Sequence, residues 1–137
     1  MFFRLSVISL LLLLLAGCSR KSESVPRGAY AYVSYDSTGS ALVKGWFTLA
    51  TPDSADLAGE WHFDAVGNAD RIGPQTGDGK LVGGISRGKV WIELNPSVTN
   101  NNLQLNGVLE GPRLHGQWTW MSYDGIRNQG TFEAIQK

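Results

Sequence analysis

The 137-residue sequence contains one cysteine, so no disulfide can form within the chain. A domain of this size without covalent staples has to be held together by its core. An excess of one charge is missing as well, since 12 basic residues face 12 acidic ones. The basic stripe or patch that marks nucleic-acid binding is absent. No segment keeps an apolar stripe at helical spacing for three turns, so apart from the N-terminal apolar run at most a turn of helix is expected, around residues 54–57. The longest apolar run, residues 5–17, stops well short of the roughly 20 residues that span a hydrocarbon core.

Catalytic signatures are also lacking. There is no Gly-x-Ser-x-Gly elbow, no His-Glu-x-x-His helix and no phosphate-binding glycine loop ahead of a helix. The run Gly83-Gly84-Ile85-Ser86 leads into a hairpin turn instead. Of the two histidines, His62 is flanked by Glu60 and Asp64, which share its strand face. Side chains spaced about 7 Å apart along a wet strand do not make a zinc site, and no free thiol is expected to complete one. No catalytic residue, metal or cofactor is therefore assigned. A hydrolase would have to use scattered carboxylates such as Asp64 and Glu93.

The first residues are laid out as an export signal: Arg4, then an apolar stretch ending in six consecutive leucines, then the small residues Ala16 and Gly17. Leu15-Ala16-Gly17-Cys18 resembles the lipobox of bacterial lipoproteins. That resemblance implies cleavage before Cys18, a diacylglyceryl thioether on its thiol and a further acyl chain on the freed amine. Several acyl chains, at about 0.8 kcal/mol per buried methylene, give durable anchoring where one would be marginal. Ser19 stands where many Gram-negative lipoproteins carry an inner-membrane retention Asp, so the resemblance implies the outer membrane, at its periplasmic face. The expected organisation is a cleaved signal at 1–17, a lipidated tether at 18–27 and one domain at 28–137. Removing the signal takes Arg4 from the balanced charges and leaves a net charge of −1. Arg20, Lys21 and Arg27 beside the anchor either form a solvated tether or touch anionic headgroups, for about 1 kcal/mol each.

Within the domain the dominant period is two. Trp61 and Phe63 alternate with Glu60, His62 and Asp64, and Leu114, Gly116, Trp118 and Trp120 alternate with His115, Gln117 and Thr119. Strands are predicted over 30–36, 42–50, 60–66, 80–86, 89–95, 103–110, 114–121 and 129–135. Arg87-Gly88, Gly111-Pro112 and Asp124-Gly125 supply tight turns between them. About eight sequential antiparallel strands form an all-β meander, which closes or nearly closes into a barrel and so removes its edges. A two-sheet β-sandwich is the alternative architecture.

Gly59-Glu60-Trp61 is similar to the Gly-x-Trp strand of calycin-type barrels, the lipocalin-like and avidin-like domains. Gly116-Gln117-Trp118 and Gly130-Thr131-Phe132 resemble their further Gly-x-aromatic strands. The likeness covers residues 57–136 and implies a barrel that holds a small ligand. Two predicted strands precede Gly59, whereas the family motif opens its barrel.

Five tryptophans, at 46, 61, 91, 118 and 120, are the most informative feature. An eight-stranded barrel is just wide enough to be filled by side chains or to hold one small ligand. Trp61, Trp118 and Trp120 therefore either stack against a hydrophobic or aromatic-stacking ligand in the lumen or fill the core themselves. Trp91 alternates out of phase with Val90, Ile92 and Leu94, so it points outward as a candidate interaction surface. The polar loop 96–102 is a candidate gate at the barrel mouth. The first functional expectation is a membrane-anchored small-ligand binding module of the cell envelope. The second is a solid-core envelope protein, structural or docking a protein partner through the face of Trp91. An enzyme is not expected.

Overall fold

A computed structural model describes residues 27–52 and 55–137. The lipobox, Cys18 and the tether up to residue 26 lie outside the described residues. Eight strands follow one another: β1 Gly28–Tyr35, β2 Ala41–Leu49, β3 Asp56–Ala65, β4 Gly77–Ser86, β5 Lys89–Glu93, β6 Asn101–Glu110, β7 Arg113–Ser122 and β8 Gly125–Gln136. Each pairs antiparallel with the next, and β8 returns to pair with β1, so the meander is a closed barrel and not a sandwich. Among the described residues no helix is long and apolar enough to cross a membrane.

Several strands extend past their alternating cores. β4 starts at Gly77 and β8 at Gly125, because backbone pairing continues through glycines and polar residues that carry no period-two signal. The helical turn expected around 54–57 is not formed over its described part. Asp56 and Leu57 already belong to β3, and residues 53–54 lie outside the description. A 3₁₀ turn is found instead at Ala69–Arg71, where the Asn68 side chain accepts from the Asp70 amide at 3.1 Å. The β4–β5 hairpin turns on Arg87 and Gly88, both at positive φ (52° and 76°), the two-residue geometry that matches strand twist.

Inward positions carry the core. Tyr32 stacks on Phe63 with ring centroids 4.2 Å apart, Tyr30 stacks on Phe47 at 5.3 Å, and Phe132 joins Tyr32 at 5.8 Å. Leucines from β3 to β7 fill the rest of the lumen: Leu57, Leu81, Leu94, Leu103, Leu105 and Leu114 are all buried. Closing so small a barrel requires strands to bend sharply, and inward glycines allow it. A Cβ on Gly59 would strike the carbonyl of Thr48 on β2, and one on Gly116 would strike that of Asn106 on β6.

The barrel has two distinct ends. Chain entry and exit share one of them: the side chain of Gln136 donates to the Arg27 carbonyl at 2.6 Å, and the Lys137 amide donates to Ala29 at 2.9 Å. This near end also holds the β4–β5 and β6–β7 hairpins. The far mouth is covered by loop 66–76, which buries Ile72 and Gln75 and lays Gly73 against the Trp120 ring. Asn128 ties the loop down by donating to the Arg71 carbonyl at 2.7 Å. Outward positions are largely polar, including Lys44, Glu60, Lys80, Lys89, Gln104 and Gln117. A barrel spanning a bilayer needs the reverse, an apolar band outside and a polar interior.

Candidate functional site

Trp61 and Trp118 both point into the lumen, from β3 and β7. Each lies across a cross-strand glycine, Trp61 over Gly79 and Trp118 over Gly130, so the flat ring takes the space a side chain would need. Their indole N–H groups are already used. That of Trp61 donates to the Leu94 carbonyl at 2.8 Å and that of Trp118 to the Tyr35 carbonyl at 2.9 Å. Trp61 further packs on Phe63, with centroids 5.1 Å apart. Trp120 is only partly buried, at the far mouth, and donates to Asn101 Oδ1 at 2.7 Å. Trp61 and Trp118 are thus set into the barrel packing, while Trp120 sits at the mouth.

Polar groups inside are few. Gln75 bridges the covering loop to the lumen, accepting from the Tyr32 hydroxyl at 3.3 Å and donating to the Ile72 carbonyl at 2.9 Å. Ser34 Oγ is buried and faces the Tyr32 hydroxyl without meeting hydrogen-bond geometry with any described residue. Burial pushes the Tyr32 phenol far above its ordinary value and raises that of Tyr30, which keeps both neutral across the physiological range.

Trp91 is on the outer wall and 44% exposed, with one edge of its ring over Gly84 of β4. It borders a groove of about 650 Å³ that runs across β4 to β7, with Val108 and Gln117 on its flank and the Ser86–Lys89 hairpin at one end. Because Gly84 lacks a side chain, the indole lies down along the wall and presents an apolar face. The signal for this in the sequence was the phase of Trp91; the part played by Gly84 needed the β4–β5 register, Gly84 opposite Trp91.

A second outward aromatic, Trp46, stacks on His62 with centroids 6.2 Å apart. His62 Nε2 stands 3.4 Å from Asp64. Glu60, Asp78 and Lys80 share this more polar strip. Asp64 and Glu93 sit on β3 and β5 with β4 between them and are offset along it, Asp64 beyond Gly77 and Glu93 opposite Val82, so they stand roughly 20 Å apart and do not form a working pair. Among the described residues no group of three or more His, Cys, Asp or Glu is gathered to hold a metal. The 96–102 loop closes a shallow hollow with Glu93 and Met121 on the outer surface.

Fold and site together define an eight-stranded antiparallel meander barrel with a packed interior and an apolar groove on its outer wall. No protein-family model matches the chain, and neither does any curated protein sequence.

Proposed function

We propose that the chain is a lipid-anchored protein of the bacterial cell envelope that works by docking through its outer wall, at the Trp91 groove. The anchor is Cys18, exposed by cleavage after Gly17 within the lipobox, and Ser19 directs the protein to the outer membrane. The observation that carries the docking reading is a contrast. The lumen is taken up by side chains whose polar atoms are nearly all paired, while the outer wall holds an unfilled apolar groove under a half-exposed tryptophan.

A second reading is a small apolar ligand enclosed by the lumen, with Trp61, Trp118 and Trp120 around it. Its support is Ser34, whose buried hydroxyl has only the Tyr32 hydroxyl nearby and no well-formed hydrogen bond, next to a far mouth covered by a loop instead of by strand pairing. The packed aromatic stack weighs against it.

The anchor is tested by expressing the full chain in a Gram-negative host and taking the intact mass of the membrane-bound product. The expected mass is that of residues 18–137 plus covalent acyl chains, and Cys18→Ala should leave the chain uncut and unacylated. A product of ordinary signal cleavage with a free thiol at Cys18 would refute it.

A further inference from the structure

We infer that the occupant of the Trp91 groove is the anionic lipid surface to which the protein is tethered. This rests on the lipid-anchored reading of Cys18. Three observations place the groove against that surface.

The first is reach. Only residues 19–26 separate Cys18 from Arg27, so the barrel can stand at most about 30 Å from the anchored cysteine. The chain enters at the near end of the barrel, where the C-terminus also leaves, so that end faces the bilayer.

The second is position. The groove is walled at one side by the Ser86–Lys89 hairpin, which belongs to the near end. Trp91 lies two residues up β5 from Lys89, a rise of about 7 Å. Val108, also exposed, is opposite Lys89 in the register. A slight tilt of the barrel therefore brings the indole and Val108 into the headgroup layer, where an amphipathic ring is well accommodated.

The third is charge. At the near end Arg113 is paired with Glu133 at 2.7 Å and Glu110 with His115 at 3.2 Å. Arg87 and Lys89, on the groove's rim, make no ion pair with any described residue; Arg27 and Lys137 add positive side chains to the same end, against Asp56 at the start of β3, the single unpaired acid there among the described residues. The far half carries Asp36, Asp64, Asp70, Asp78, Glu93 and Asp124 against Lys44, Arg71 and Arg127. The barrel is polarised with its positive end toward the tether, the orientation an anionic leaflet attracts. Tethering adds to this, because it makes wall docking an intramolecular event at high effective concentration.

The test uses the full lipidated protein on vesicles of phosphatidylethanolamine and phosphatidylglycerol, and in parallel on pure phosphatidylcholine. The thioether leaves Cys18 unreactive, so Val108→Cys can be labelled with an environment-sensitive fluorophore, with Asp124→Cys as the far-end control. On anionic vesicles the probe at 108 should shift to the blue and be quenched by lipid-borne quenchers, while the probe at 124 stays as in water. Arg87→Glu with Lys89→Glu should weaken that quenching at least about tenfold, as should high salt. Protein that floats with the vesicles while the probe at 108 remains as wet as that at 124 would overturn the inference and leave the anchor standing. So would shielding at 108 that needs added envelope protein and not lipid. Protein that neither floats nor carries acyl mass would overturn both readings together.

Discussion

Truncating Trp118 separates a lumen filled by the chain itself from one kept for a ligand. The indole is fully buried, covers Gly130 on β8 and donates to the Tyr35 carbonyl at 2.9 Å. Trp118→Ala removes the whole ring from a closed barrel whose pairing on both sides restricts collapse, and such truncations cost about 3–5 kcal/mol. Leaving the Tyr35 carbonyl without its donor adds about 1 kcal/mol. Domains of this size unfold with roughly 5–15 kcal/mol in total, so the variant should be close to marginal. Its melting temperature should fall by on the order of 20 °C. Trp91→Ala is the matched comparison, because the same residue type is removed from the outer wall. With nearly half the ring already in water, the cost should stay within about 1 kcal/mol. Thermal and urea unfolding followed by circular dichroism measure both. A Trp118→Ala loss below about 1 kcal/mol would show that the lumen tolerates an empty space there and would refute the packed-interior argument.

Gly59→Ala should cost about 3 kcal/mol or prevent folding, since the new Cβ meets the Thr48 carbonyl and can be relieved only by parting β2 from β3. A melting curve superimposing on that of the parent would contradict the close-approach argument. Ser34→Ala should leave stability unchanged or raise it by up to about 1 kcal/mol, because the buried hydroxyl it removes makes no well-formed hydrogen bond; a clear loss in urea unfolding would show that its contact with the Tyr32 hydroxyl is a real bond. The Asp36 carboxylate accepts from the Thr38 hydroxyl and from the amides of Thr38 and Ser40, and these bonds, the Thr38 hydroxyl foremost, hold its carboxyl below the ordinary value of 3.8. A lowered folded value means its contribution is fully present above the ordinary value and is lost as pH falls through the folded one. The Thr38 and Ser40 amide shifts should therefore titrate with a midpoint below 3.8; a midpoint at or above it refutes the turn assignment.

Much of the barrel was legible because its lumen and its outside differ at nearly every second residue. β3, β5, β6 and β7 each carry an uninterrupted apolar alternation, so their phase also told that Trp91 points outward and Trp61 and Trp118 inward. Closure was legible only as a preference over a sandwich, because it depends on β1 meeting β8 across the whole chain, Tyr32 opposite Ala134. The ends of β4 and β8 were hidden for a different reason: Gly77, Asp78 and Gly79, or Gly125 and Asn128, pair through backbone without marking a face, and Arg127 sits in a bulge between pairs. Loop 66–76 was missed as a cover because Ile72 and Gln75 are single inward residues in a segment with no period. At the site, residue types were readable but partnerships were not. Nothing in the sequence says that Gly84 lies under Trp91, or that the Leu94 and Tyr35 carbonyls already occupy the indoles of Trp61 and Trp118.

The central claim is that the interior is occupied by the chain itself and that the working surface lies outside. Native mass spectrometry on the protein purified gently from the membrane fraction addresses it most directly, run alongside the Trp91→Ala variant. The expected mass equals polypeptide plus covalent acyl groups, with any loosely held lipid depleted in Trp91→Ala. A discrete non-covalent component that is kept by Trp91→Ala and released only on unfolding would place a ligand in the lumen and contradict it.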